Sequence, residues 1–183
     1  MDARILKTKQ KIKDSLMFLL HSKRIGDISI SELCKKASIN RNTFYTHYSS
    51  PEAVLTDIAD ELSTELFMML SKCENPMQIA IKACEYTQIN IDVYKMLMQN
   101  DAEKVYLKPA IIHSKTMMLY KVHNADGRFS QIQLDMINEF LVNGVIALMK
   151  NWIENDCPVS PEFIGGMINL LSKSLIDGLN ASK

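Results

Sequence analysis

Between Ser29 and Tyr48 the chain runs SISELCKKASINRNTFYTHY, and its second half concentrates side chains that make directional hydrogen bonds. An arginine can donate a parallel pair to the major-groove edge of guanine. An asparagine can take the matching edge of adenine, and a threonine methyl can pack on thymine. Arg41, Asn42, Thr43, Tyr45, Thr46 and His47 therefore read as a surface for base edges. Tyr45, His47, Tyr48, Ser29 and Ser31 suit phosphate oxygens, which set register without reading sequence. Asn40, at the start of the same segment, joins them as a candidate. The same residues also fit a helical hairpin with an incidentally polar face, so the elements that carry them must decide.

Two short helices are expected here. Ser29-Ile30-Ser31-Glu32 has the form of a capping box, with the Ser29 hydroxyl accepting from the residue-32 amide and Glu32 reaching back. The helix it opens runs from Ile30 to about Lys36 and buries Ile30, Leu33, Cys34 and Ala37. Ser38-Ile39 makes a tight turn, and Asn40 is a good N-cap for a helix through about Tyr48. Leu33, Cys34, Ala37, Ile39 and Phe44 are spaced to knit the pair together, which leaves the polar set facing out. Two short helices joined by a turn of three or four residues make the helix-turn-helix format.

Charge points the same way. Residues 1–50 carry ten Lys/Arg against four acids, +6, and the rest carry eleven against seventeen, −6, so a net charge of zero hides a basic head on an acidic body. Such a head suits a polyanion, and it also suits a solvated lysine-rich helix. That first helix spans about Arg4 to Ser22, with Ile5, Ile12, Leu16, Leu19 and Leu20 on one stripe. Gly26-Asp27 breaks it.

With these residues in place, positions 5–62 resemble the N-terminal domain of TetR-family regulators. The resemblance rests on Ser29, Leu33, Cys34, Ala37, Ser38 and Ile39. It continues through Thr43-Phe44-Tyr45-Thr46-His47-Tyr48 and Glu52-Ala53-Val54-Leu55, behind a basic amphipathic helix. It implies an all-helical homodimer whose two heads read a palindromic operator in double-stranded DNA and whose body takes an unidentified small effector. The chain departs from the family pattern at three places. Ser38 replaces the usual turn glycine, at a small cost if the backbone there is left-handed. Cys34 replaces an alanine. Pro51 stands where many members have a phosphate-touching lysine, a role that amides at the start of that helix could fill.

The remainder continues in helical period. Ser50-Pro51 opens a long connecting helix to about Lys72, and helices follow over about 77–89, 91–99, 102–122, 130–155 and 161–180. The expected fold is all-α, about nine helices, with a DNA-binding domain over 1–50 and a ligand-binding and dimerisation domain over 51–183. From Phe140 to Met149 the pattern is apolar nearly all round, so one side needs a partner. Phe140, Leu141, Gly144, Val145, Leu148 and Trp152 are the expected dimer residues there, with Met167, Leu171 and Leu175 on the last helix. Ten of the twelve methionines lie beyond residue 60. Met69, Met98 and Met117, with Tyr86, Tyr94, Tyr106, His113 and Tyr120, are the candidates for an adaptable effector cavity.

No catalytic pattern appears: there is no glycine-rich phosphate loop, no HExxH and no recognisable nucleophile–base set, so a non-enzyme without cofactor or metal is expected. The four cysteines show no metal-ligand spacing and read as reduced thiols of a cytoplasmic protein. The start MDARILKTKQ is too charged for a signal peptide. No charge-free run approaches the roughly 20 residues of a membrane span, so no membrane partner is expected. A ligand-responsive repressor is the leading expectation. A transcription activator of the same fold, or a DNA-bound structural or division factor without an inducer, are the alternatives.

Overall fold

The computed structural model describes residues 3–99 and 129–181. The helix expected over 102–122 lies outside them, and with it Tyr106, His113, Met117 and Tyr120. The described residues form eight α-helices and no strand: α1 (Ala3–Leu20), α2 (Ile30–Ala37), α3 (Arg41–His47), α4 (Pro51–Leu70), α5 (Pro76–Ile89), α6 (Ile91–Gln99), α7 (Gln131–Glu154) and α8 (Pro161–Ala181). The break expected at Gly26-Asp27 is itself a 3-10 turn, Ile25–Asp27.

Caps explain most of the boundaries. Asn40 Oδ1 accepts from the Thr43 amide at 2.7 Å and starts α3. Asn75 Oδ1 takes the Gln78 amide, with Pro76 in the first turn of α5, where a missing N–H costs nothing. Ser130 and Gln133 form a full reciprocal capping box at the head of α7. At Ser29 only half of the expected box is present. Its hydroxyl accepts from the Glu32 amide at 3.2 Å, while the Glu32 carboxylate accepts from Lys23 Nζ at 2.6 Å.

The chain packs as two compact units, residues 3–62 with 95–99 and residues 63–94 with 129–181. The first of these units, the head, includes the first part of α4. Its interior holds Ile12, Leu16, Leu33, Phe44 and Val54, all fully buried, with Leu20, Cys34 and Ala37 beside them. In the second unit Leu66, Leu70 and Ile79 form a cluster against which Met69, Cys73, Ala83 and Tyr86 pack. Helices α5 and α8 pack so closely that a Cβ on Gly165 would lie 2.7 Å from Ile81 Cα. The turn between α7 and α8 puts Asp156 and Cys157 at φ 58° and 51°, and Trp152 Nε1 donates to the Val159 carbonyl across it. All four cysteines are free thiols.

Candidate nucleic-acid interface

Helix α3 owes its orientation to Phe44, which is fully buried, and to the turn that precedes it. Ser38 sits at φ 54°, ψ 47°, in the left-handed region, and the Ile39 amide donates back to the Cys34 carbonyl at 3.0 Å. This is a six-to-one closure that satisfies a carbonyl at the end of α2. The serine thus adopts the conformation that the usual glycine would take freely.

With Phe44 inward, Arg41, Asn42, Tyr45 and Thr46 are exposed, Tyr45 by 53%. The Tyr45 ring is held edge-on to Phe44 at 5.9 Å between centroids, so it projects from a fixed base. Thr43 and His47 are half-buried. The Thr43 hydroxyl donates to Asn40 Oδ1 at 2.9 Å, so Asn40 serves as a double cap and Thr43 presents mainly its methyl. Ser29 and Ser31, at the start of α2, are exposed. Ser50 Oγ takes the Ala53 amide at 3.3 Å, so part of the amide set proposed to stand in for a lysine at Pro51 is already used.

Tyr48 does not belong to this surface. It is 7% exposed, and its hydroxyl donates to Asp57 Oδ2 on α4 at 2.6 Å. The polar tip expected to meet a phosphate is taken instead by the carboxylate nine residues on. The same oxygen receives Lys13 Nζ at 2.8 Å and Lys9 Nζ at 3.1 Å, and Lys13 also reaches Glu61 at 2.6 Å. Burial by itself would raise the Asp57 carboxyl. Hydrogen bonds from Lys13, Tyr48 and Lys9 outweigh it and hold the group at about 2. Burial and the bond to Asp57 push the Tyr48 phenol up. Nothing in the sequence spacing singles out this cluster except lysines at positions 9 and 13, one turn apart on α1.

A family model described as "Transcriptional regulator C-terminal region" matches residues 74–174, just over half of the chain. The chain belongs to the TetR family of transcription regulators. Among TetR-family relatives, the chain is 36% identical over 74 residues to the HTH-type transcriptional regulator EthR of Mycobacterium tuberculosis, 40% of this chain and 34% of that one. It is 27% identical over 85 residues to the uncharacterized HTH-type regulator YxbF of Bacillus subtilis, 46% of this chain and 22% of the other. The matches thus span about a third of the length of EthR and about a fifth of the length of YxbF. The fold is similar to that of a TetR transcriptional regulator from Streptococcus agalactiae, with a TM-score of 0.73 at 20% identity over 93% of this chain and 96% of the other. It is also similar to the dihydroxyacetone kinase operon activator DhaS, with a TM-score of 0.61 at 19% identity over 93% and 96% of the two chains. The family match falls on the C-terminal stretch, where no short motif stands out by eye.

Of the candidate effector residues, Met69 and Tyr86 pack together on the second unit's cluster, and the Tyr86 hydroxyl donates to Glu65 at 2.8 Å. Tyr94 is buried, hydrogen-bonded to Thr87, and pushed up to about 12 chiefly by that burial. Met98 is half-buried and groups with the first unit. A groove of about 520 Å³ in the first unit is lined instead by Leu20, His21, Ser22, Lys23, Arg24, Asp27 and Gln99, none of them an expected effector residue.

The expected dimer residues divide by helix face. Phe140 (71%) and Leu171 (50%) are exposed, and a Cβ on Gly144 would meet nothing within 4 Å. Val145, Leu148, Met167 and Leu175 are half-buried. Leu141 (9%) and Trp152 (2%) point into the chain's own interior and are corrected to core. The uncovered stripe of α7 is Ile132, Met136 and Phe140, at successive i+4 steps, and on α8 it is Phe163, Leu170 and Leu171. Among the described residues, α7 is the one helix long and apolar enough to cross a membrane, although it carries Asp135, Glu139 and Lys150.

Proposed function

We infer that this TetR-family chain binds double-stranded DNA as a homodimer, lays α3 into the major groove of each half of a palindromic operator, and represses transcription until a small effector binds its body. One observation carries the reading. Arg41, Asn42, Tyr45 and Thr46 lie together and exposed on a helix whose opposite side is locked by Phe44. A polar face left exposed on a helix held from behind is what groove reading requires.

Homodimerisation is supported by the uncovered apolar stripes of α7 and α8, since contiguous apolar surface on a regulator of this kind marks an interface. Repression by promoter occlusion, with an uncharged effector, rests on the family resemblance and on the methionine-rich composition of the body. An effector acts only through its differential affinity for the two states, and a 100-fold loss of operator affinity needs about 2.7 kcal/mol of it.

The test starts with selection of a duplex from a random pool by the wild-type protein. Tyr45→Ala is expected to weaken binding to the selected duplex by roughly 1–3 kcal/mol without lowering Tm, and wild-type binding should fall steeply with salt. A protein that enriches no duplex, or binds indifferently to salt, would refute DNA recognition. A thermal-shift screen with operator titration of each hit then examines sensing. Hits that stabilise the protein but leave operator affinity unchanged would remove the effector from the proposal.

A further inference from the structure

One oxygen, Asp57 Oδ2, is shared by three donors from two parts of the head. Lys9 and Lys13 reach it from α1 at 3.1 and 2.8 Å, and the Tyr48 hydroxyl reaches it from the residue that ends α3 at 2.6 Å. Tyr48 is constrained from other directions as well. Its amide closes α3 on the Phe44 carbonyl at 2.9 Å, its ring lies 6.1 Å from that of Phe44, and Lys9 Nζ stands 5.1 Å over its face. Only Ser49 and Ser50 separate it from α4. The bond from Tyr48 to Asp57 therefore closes a ring of chain through the α3–α4 corner. With that ring closed, α3 cannot swing about the corner without breaking a nearly buried hydrogen bond.

The arrangement is more specific than general adhesion. Two cations face two anions, Lys9 and Lys13 against Asp57 and Glu61, so charge is balanced around Lys13, whose side chain is only 6% exposed. A leucine in place of Asp57 could fill the space, but it would give the Tyr48 hydroxyl no acceptor and Lys13 only one partner. A carboxylate satisfies both at once.

We propose that Asp57 is a positioning residue for DNA recognition: through Tyr48 it sets the direction in which α3 presents Arg41, Asn42, Tyr45 and Thr46, while touching no DNA itself. This rests on the DNA-binding reading only for its consequence; the positioning is a property of the free protein. It also accounts for why a tyrosine ends α3 in a place where its hydroxyl cannot reach a phosphate.

The experiment compares wild type with Tyr48→Phe, Asp57→Asn and the double variant in the full chain. The measurements are residue-resolved amide hydrogen exchange and binding to the duplex selected by wild type. Tyr48→Phe removes one hydroxyl and keeps the ring and both lysine pairs, so it folds. Exchange in residues 41–48 is expected to speed up about 5–10-fold in either single variant, with α5 and α8 unchanged, and the double is expected to be no worse than the worse single. Glu61→Gln, which loses only a contact to Lys13, leaves exchange in α3 at the wild-type rate. Affinity for the selected duplex falls about tenfold in both single variants. Weaker binding in Tyr48→Phe without faster exchange in α3, or without a parallel effect of Asp57→Asn, would make Tyr48 a direct contact and overturn the proposal. Faster exchange spread evenly through the head would overturn it too, by reducing the cluster to ordinary core stability. If exchange in α3 responds as expected but the wild type enriches no duplex, the positioning stands and the DNA reading falls.

Discussion

Ser38 pays a conformational penalty that a glycine would not. Its Cβ crowds the following carbonyl at φ 54°, at roughly 1–2 kcal/mol for a side-chain-bearing residue in this region. Ser38→Gly relieves that strain and frees the unfolded chain slightly, so the expected net gain is about 0.5–1 kcal/mol, a Tm rise of about 1–4 °C. Because the closure of the turn is unchanged, affinity for DNA should stay within twofold. A fall in Tm would mean that the serine makes up for the strain in some other way. Asp57 gives a second test at this scale, through pH. Its carboxyl is held at about 2 in the folded head against an ordinary 3.8, so the charged form is the one that folding favours. Its contribution is fully present above about pH 4 and is lost as pH falls towards about 2. With the side chain 29% exposed, the effect is about 1–2 kcal/mol after allowance for solvent screening. The stability gap between wild type and Asp57→Asn, from urea unfolding, should be constant from pH 7 to about 4 and then narrow. A gap that widens with acid would contradict the sign.

Among the elements, what was legible in the sequence and what was not follow from the range of the forces. Caps and turns act within four residues, so Asn40 and the Pro51 start of α4 mark helix ends that the structure repeats. The outward face of α3 was legible for the same reason, since one buried aromatic at Phe44 fixes the rotation of so short a helix. Tyr48 was misread because its partner, Asp57, lies on the next helix, and a period count along one element cannot see across a corner. Leu141 and Trp152 were misread in another way. On a helix apolar nearly all round, composition does not say which stripe faces home, and only packing assigns these two inward while Ile132, Met136 and Phe140 stay out. Gly165 likewise looks like any glycine in α8 until α5 is placed. An added methyl there meets the Ile81 backbone at 2.7–2.8 Å, and backbone cannot rotate away. Gly165→Ala is therefore expected to destabilise by about 1–3 kcal/mol despite alanine's better helix propensity. Gly166→Ala, where an added Cβ meets nothing within 4 Å, should be neutral or stabilising by up to about 1 kcal/mol. Equal effects of the two, by thermal unfolding, would show that α5 and α8 do not approach so closely.

For the whole molecule, the proposed dimer makes the separation of its two heads the quantity on which operator recognition would depend. Successive major grooves present half-sites about 34–36 Å apart, and a helix of seven residues such as α3 can reach only a few base pairs. A single head would thus hold DNA weakly, and joining two converts the second contact into an intramolecular one, worth about 10²–10⁴ in affinity. The join is expected along Ile132, Met136 and Phe140 of α7 and Phe163, Leu170 and Leu171 of α8, where large apolar side chains stand half or more exposed in the single chain. Phe140, 71% exposed, touches little of its own fold, so Phe140→Glu should leave the monomer folded. In a symmetric interface both chains contribute the same stripe, so the substitution places two carboxylates in the buried seam at once. The expected result is a monomer by sedimentation at micromolar concentration, with unchanged helical content and at least a 100-fold loss of affinity for the full palindrome. Affinity for an isolated half-site should be unaltered, because α3 and the Asp57 cluster lie outside the change. Trp152→Ala, by contrast, removes a side chain of the chain's own core and should lower Tm by emptying a cavity, with the dimer following only as folding fails. A Phe140→Glu protein that still sediments as a dimer would move the interface off this stripe, and one that is monomeric yet binds the palindrome at full strength would detach assembly from recognition.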